Sequence, residues 1–345
     1  MEDFGSWSII TTNFLIILYM ALGGVVFSAL LELVGGKWRF QVRHLACANI
    51  ALFPIAFVLL LILLANGEAT FPWLAEMRKG DTNFPGWHNY TFLVFREICG
   101  FLITFLIYLA FVFYQRESEV DKSPKTLFRF RIITILVPFV YVIYGTMVSW
   151  DFEMTLEAGW HSSSYAVYHF QSNFHGFLAY FTLMMFVLDK TGRLKDMFEP
   201  KIYNYMAQYM LGMTIMWIYF YFTQYLVFWY GRLPNDMDRY IRMMEGGYIF
   251  FFVIFLLFKF FIPFCMLIFT PCRHSRGIIV AMAIFILTGT WLERYIWISG
   301  SVSSRFYHTP LSDSFDLLVM ALTAIAAFFA LRWALLRYKL LTSRV

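Results

Sequence analysis

Segments such as 50–64 and 249–258 are continuously apolar, with no alternation of apolar and polar residues. Within hydrocarbon every peptide N–H and C=O needs a partner inside the protein, which leaves only helices or a closed barrel. Barrel strands would show segments of about ten residues alternating in polarity, so these runs read as helices. A helix needs about 20 residues to cross roughly 30 Å of hydrocarbon. Nine segments meet that length, at approximately 9–34, 44–65, 91–114, 130–149, 165–188, 203–230, 247–270, 278–298 and 314–336. Of the 345 residues 60% are hydrophobic and 14% charged, against roughly 25% charged in soluble domains, which excludes a typical soluble enzyme.

The expected fold is therefore an all-α polytopic membrane protein forming one integral membrane domain over 1–345. Helices one to four lie in 1–150, helices five to eight in 151–300, and helix nine with a cytoplasmic tail in 301–345. The longest connection, 66–90, holds Gly67, Pro72, Trp73, Pro85, Gly86 and Trp87, a composition for an ordered interfacial loop. The N-terminus opens with Glu2 and Asp3 and lacks the basic stretch of a cleavable signal peptide, so the first apolar run reads as a permanent helix.

Charge sets the sidedness. The loops after spans one, three, five and seven, together with the C-terminal stretch, hold eighteen Lys and Arg, while the opposite loops hold six. Arg96, Lys259 and Arg294 fall inside spans and complete the 27. Basic residues are retained on the cytoplasmic side, which puts the N-terminus outside and the C-terminus inside. The net charge of +5 then reads as attraction to anionic lipid head groups, not as a nucleic-acid surface. Cys47, Cys99, Cys265 and Cys272 form no CxxC pair and no haem or iron–sulfur spacing, and the three within apolar stretches read as small buried thiols.

An ionisable group within a span costs about 2.5–3.5 kcal/mol at the centre on insertion scales, so each needs a partner, water or a role. These groups gather in the outer half of the spans: Arg96 and Glu97 on helix three, Asp151 and Glu153 at the end of helix four, His169 and His175 on helix five, Gln224 near the end of helix six, and Glu293 and Arg294 on helix eight. Lys259 stands near the middle of helix seven. The asymmetry points to a polar pocket or proton outlet on the outer side, with His175 the most site-like residue because imidazole exchanges protons near neutral pH. The competing reading makes Arg96–Glu97 and Glu293–Arg294 interfacial ion pairs or snorkelling side chains, and Gln224 an interhelical hydrogen-bond former. Haem b ligation is disfavoured, since His169 and His175 point to different faces of one helix.

Four stretches carry a resemblance: SWDFEMTLEAGWHSSSYAVY at 149–168, QYLVFWYGRLPNDMDRY at 224–240, FIPF at 261–264 and TGTWLERY at 288–295. In order and spacing they resemble the F subunit of bacterial alternative complex III, among the NrfD-like, polysulfide-reductase-type membrane subunits. The likeness covers roughly 130–300, and the earlier helices only by general pattern. It implies two packed four-helix bundles with helix nine peripheral, in a subunit of a quinol:cytochrome c type oxidoreductase in the bacterial inner membrane. Menaquinol or ubiquinol would be the substrate of the complex. The expected partners are a sister C-type subunit, a multihaem cytochrome c subunit, an iron–sulfur subunit and small membrane subunits, which would carry the haem c and iron–sulfur clusters, so this chain would bind none itself. The resemblance further implies a part in proton movement, for which Asp151, His169, His175, Gln224, Lys259, Glu293, Arg294, Arg96 and Glu97 are the proton-path or quinone-cavity candidates.

This chain departs from the family pattern in three places. Family members usually have ten helices, which reads here as loss of the first. Ala158 and Gly159 stand where Pro-His commonly precedes the tryptophan, with His161 following Trp160, and Glu293 occupies a position often held by aspartate. The alternatives are a non-conducting scaffold, a quinol-binding anchor of another iron–sulfur oxidoreductase, and a secondary transporter. No matched pair of Gly/Pro-broken helices supports the transporter, because Pro54, Pro138 and Pro263 are each single interruptions.

Overall fold

A computed structural model describes residues 4–79, 84–157, 159–191, 198–300 and 308–337. Glu2, Asp3, Ala158, Arg193, Lys195, Arg305, Lys339 and Arg344, which entered the readings above, lie outside the described residues. Of the described residues 87% are helical and none lies in a strand. Its long helices are α1 (Phe4–Leu33), α2 (Arg39–Ala65), α3 (Tyr90–Val120), α4 (Pro124–Phe152), α5 (Tyr165–Lys190), α6 (Pro200–Tyr230), α7 (Ile249–Leu267), α8 (Arg276–Gly300) and α9 (Ser314–Arg337).

Among the described residues eight of these are long and apolar enough to cross a membrane. The exception is α5. At 26 residues it is long enough, but its first half carries His169, Gln171, Ser172, Asn173 and His175 and lowers its apolarity. All five of those side chains are buried by neighbouring helices, so α5 is polar where protein surrounds it.

Helix α1 is apolar on all sides and is almost wholly buried, as a helix without a polar face must be. It packs against α2, α4, α5, α8 and α9. Around it α3 pairs with α4, while α5 packs on α4, α6 and α8, and α7 packs on α8 and α6. Helix α9 lies at the edge, with Asp316, Ala334 and Leu335 its buried residues. The outward faces of α3, α4, α6, α7 and α9 carry exposed Phe, Leu and Ile, the surface expected against lipid.

Local sequence sets the helix boundaries. The Asn89 side chain accepts from Phe92 N at 3.0 Å and caps α3, and Ser123 caps α4 with Pro124 in its first turn. Proline cannot donate to the carbonyl four residues earlier and its ring crowds that carbonyl. Before Pro54 the chain accordingly tightens into a 3₁₀ turn at Asn49–Leu52, and before Pro263 it widens into a π turn at Leu257–Phe261. The second turn contains Lys259. The described part of the 66–90 connection, 66–79 and 84–90, contains two short helices, Gly67–Thr70 and Pro72–Arg78, with Trp73 buried.

Two expectations need correction. Of the cysteines in apolar stretches only Cys47 is buried, where it donates to Gln115; Cys265 is exposed and Cys99 partly so. Arg239, counted among the outer loop cations, is fully buried on the short helix Pro234–Met244.

Candidate functional site

The site begins where two helices touch without side chains between them. A Cβ on Gly289 of α8 would lie 3.1 Å from Lys259 N and 3.2 Å from Lys259 Cβ, so glycine there lets the π turn of α7 lie against α8. One turn further along the same face of α8 is Glu293. On the other side, a Cβ on Gly176 of α5 would meet Thr290 Cγ2 at 2.8 Å, and one turn before Gly176 is Ser172. Small residues thus draw three helices together, and the polar residues one turn away meet.

They meet around the Glu293 carboxylate. Oε2 pairs with Lys259 Nζ and accepts from Ser172 Oγ at 2.7 Å, while Ser172 Oγ accepts from Lys259 at 2.5 Å. Oε1 accepts from Trp217 Nε1 at 2.8 Å and from the Tyr168 hydroxyl, and Arg294 Nη2 lies 2.9 Å away. Trp297 Nε1 donates to the Tyr168 hydroxyl at 2.9 Å. Lys259, Glu293, Arg294 and Ser172 are all completely buried.

Arg294 continues the chain of contacts. Its Nη1 donates to Glu153 Oε2 at 2.6 Å and lies 2.8 Å from His169 Nδ1, which is itself 2.7 Å from Glu153 Oε2. One ring nitrogen cannot donate to the carboxylate and accept from the guanidinium at once. Two proton placements therefore fit the same heavy-atom geometry, Nδ1–H donating to Glu153 or a bare Nδ1 accepting from Arg294. The Tyr165 hydroxyl also donates to Glu153, and Arg239 Nη2 donates to the Glu153 carbonyl at 2.6 Å. The Arg239 guanidinium sits 4.5 Å from the Trp160 ring and 5.2 Å from that of Trp297.

A second group lies between the start of α3 and the end of α4. Arg96 grips Asp151 through two contacts, with Nε at 2.7 Å from Oδ2 and Nη2 on Oδ1, and Trp87 Nε1 donates to Oδ1 at 2.7 Å. The Arg96 guanidinium stacks 4.0 Å from the Trp87 ring. Glu97 is completely buried beside Asp151 and the Tyr144 hydroxyl, yet neither of its oxygens has a hydrogen bond of good geometry among the described residues. Tyr19 of α1 packs beside the first group, its ring 5.2 Å from that of His169, and its hydroxyl donates to the Gly145 carbonyl at 3.4 Å.

Eight of the nine residues singled out by sequence belong to, or lie next to, this system. His175 is its deep end: Nε2 lies 3.2 Å from Thr214 Oγ1, and Lys259 and Glu293 are its charged neighbours. At about 1.5 Å per residue His175 is roughly 15 Å below Tyr165. Gln224 is the exception, buried with no partner for either amide atom among the described residues, so its expected interhelical bond is not made there. The adjacent-pair reading of Arg96–Glu97 is also corrected, because Arg96 turns to Asp151, whereas the adjacent Glu293 and Arg294 do lie 2.9 Å apart. Burial of all four residues in the two adjacent pairs excludes snorkelling.

Sequence reasoning left Glu153, Tyr165, Tyr168, Ser172, Trp217 and Arg239 off the candidate list. The carboxylate had a usable signal in its place beside Asp151, but hydroxyls and indoles announce no partner in a chain with 21 Tyr and 11 Trp. Chemically, the arrangement joins ionisable groups from the end of α4 to the middle of α7. No group of three or more His, Cys, Asp and Glu among the described residues has the arrangement of a metal site. No known family model matches the chain, and no curated protein is significantly similar to it.

Proposed function

We propose that this chain is a nine-span membrane subunit of a quinol-oxidising, cytochrome c type oxidoreductase complex, and that it handles protons for that complex. The observation that carries the reading is the buried network of His169, Glu153, Arg294, Glu293 and Lys259, with Arg96, Asp151 and Glu97 forming a second buried group. Oxidising one quinol to quinone releases two protons and passes two electrons to an acceptor. Groups that exchange protons suit the first product, while the electrons would travel through haem c and iron–sulfur centres on partner subunits. The motif resemblance over 130–300 supports the same placement, in a bacterial inner membrane with the N-terminus outside.

The test is to purify the tagged chain from its native membrane under mild conditions. Recovery with haem- and iron-bearing subunits and quinol oxidation supports the reading. A chain that leaves the membrane alone, with no redox partner, contradicts it. Protease accessibility of the 121–123 turn from the outer side would overturn the orientation.

A second reading, a non-conducting scaffold, is favoured by the saturation of Glu293, whose two oxygens receive contacts from five side chains. Replacing the charges while preserving packing separates the two.

A further inference from the structure

The last three turns of α5 and the last turns of α9 leave a groove between them of about 650 Å³, within the size range of small-molecule sites. Tyr180, Met184, Leu188, Thr191, Leu331 and Arg332 are among the residues that line it. The polar side chains are already committed, with one exception. The Tyr180 hydroxyl donates to Asn49 Oδ1 at 3.0 Å and the Thr191 hydroxyl to the Leu188 carbonyl at 3.0 Å. No hydrogen bond or ion pair joins Arg332 to any other of the described residues, so its five N–H donors face an otherwise apolar groove.

Length points to the occupant. From Tyr180 to Thr191 is eleven residues, or about 16 Å along the helix, which is half of the roughly 30 Å hydrocarbon layer and thus the depth of one leaflet. The groove runs to the C-terminal end of α5, at Lys190 and Thr191, and to the last described turns of α9. Nearby Asp189 is already paired with Arg276 at 3.0 Å. The local charge is therefore positive, and a guanidinium fork matches phosphate geometry.

We propose that this groove is a binding site for an anionic phospholipid, with one acyl chain between α5 and α9 and the phosphate on Arg332. The site is separate from the buried charged system and independent of the proton-handling reading.

The test is native mass spectrometry of the purified full-length protein, titrated in parallel with dioleoyl phosphatidylglycerol and dioleoyl phosphatidylcholine. The wild type should retain one phosphatidylglycerol at about tenfold lower concentration than phosphatidylcholine. Arg332→Gln should bring the two lipids level, and Arg332→Lys should fall between. Leu331→Trp, which keeps the charge and fills the groove, should weaken both lipids. Equal retention of the two lipids by the wild type overturns the proposal. So does undiminished phosphatidylglycerol retention in either Arg332→Gln or Leu331→Trp; the second variant decides if the first does not fold.

Discussion

Lys259 and Glu293, on the neighbouring helices α7 and α8, form an ion pair in which neither side chain has any accessible surface. Breaking a buried pair from one side leaves an uncompensated charge and typically costs about 3–5 kcal/mol, whereas replacing both partners with apolar groups of similar volume is often neutral. Glu293→Gln should therefore lower the thermal midpoint in detergent strongly. The double variant Lys259→Met/Glu293→Leu should recover most of the loss. A double variant no more stable than the single one would show that the remaining partners of Glu293, namely Ser172, Tyr168, Trp217 and Arg294, dominate.

The pair depends on glycine. Gly289→Leu should force α7 away from α8 and cost about 1–3 kcal/mol or more, the usual range for overpacking. Gly277 of the same helix faces open space and is the control, since Gly277→Leu should leave the midpoint nearly unchanged. Equal effects at the two positions would refute close approach at Gly289.

At the start of α3, Arg96→Lys keeps the charge but loses the two-point grip on Asp151, so it should not be tolerated as conservative. The expected result is a lower midpoint together with faster proteolysis of the 66–90 connection, because Trp87 is held by both Arg96 and Asp151. Wild-type protection in Arg96→Lys would show that charge alone suffices.

His88 lies outside the spans, packed 5.2 Å from the Trp73 ring and 5.6 Å from that of Phe84, with Nε2 3.3 Å from the Thr155 carbonyl. Burial lowers its proton affinity below the ordinary value. The unfolded segment consequently binds a proton more readily than the folded one, and the stability contribution is present above pH ~6.5 and lost as pH falls below it. Hydrogen-exchange protection factors at the described amides of 66–90 should fall between about pH 7 and 5.5, and His88→Phe should remove that dependence.

Nine helical segments were read from the sequence because an apolar run of twenty residues has few structural outlets, and among the described residues eight helices are long and apolar enough to cross a membrane. Helix α5 shows the limit of that argument: its polar first half reads as costly in hydrocarbon but is surrounded by protein. The candidate residues were legible for the same reason, since Lys259 or Glu293 in a span demands a partner. Which partner was not legible. Contacts between residues 34 or 141 positions apart, as for Lys259–Glu293 and Glu153–Arg294, depend on helix packing that small residues such as Gly289 and Gly176 permit. Adjacency in sequence misled at Arg96–Glu97, and a loop position misled at Arg239, because the charge of a side chain says little about whether a short helix folds it inward.

The proton-handling claim is tested most directly by the proton-to-electron ratio of the assembled complex in sealed vesicles, comparing wild type with Lys259→Met/Glu293→Leu. If the buried system carries protons, the double variant assembles and oxidises quinol but releases fewer protons per electron. An unchanged ratio in a normally assembled complex would contradict the claim and leave the charged system as scaffold.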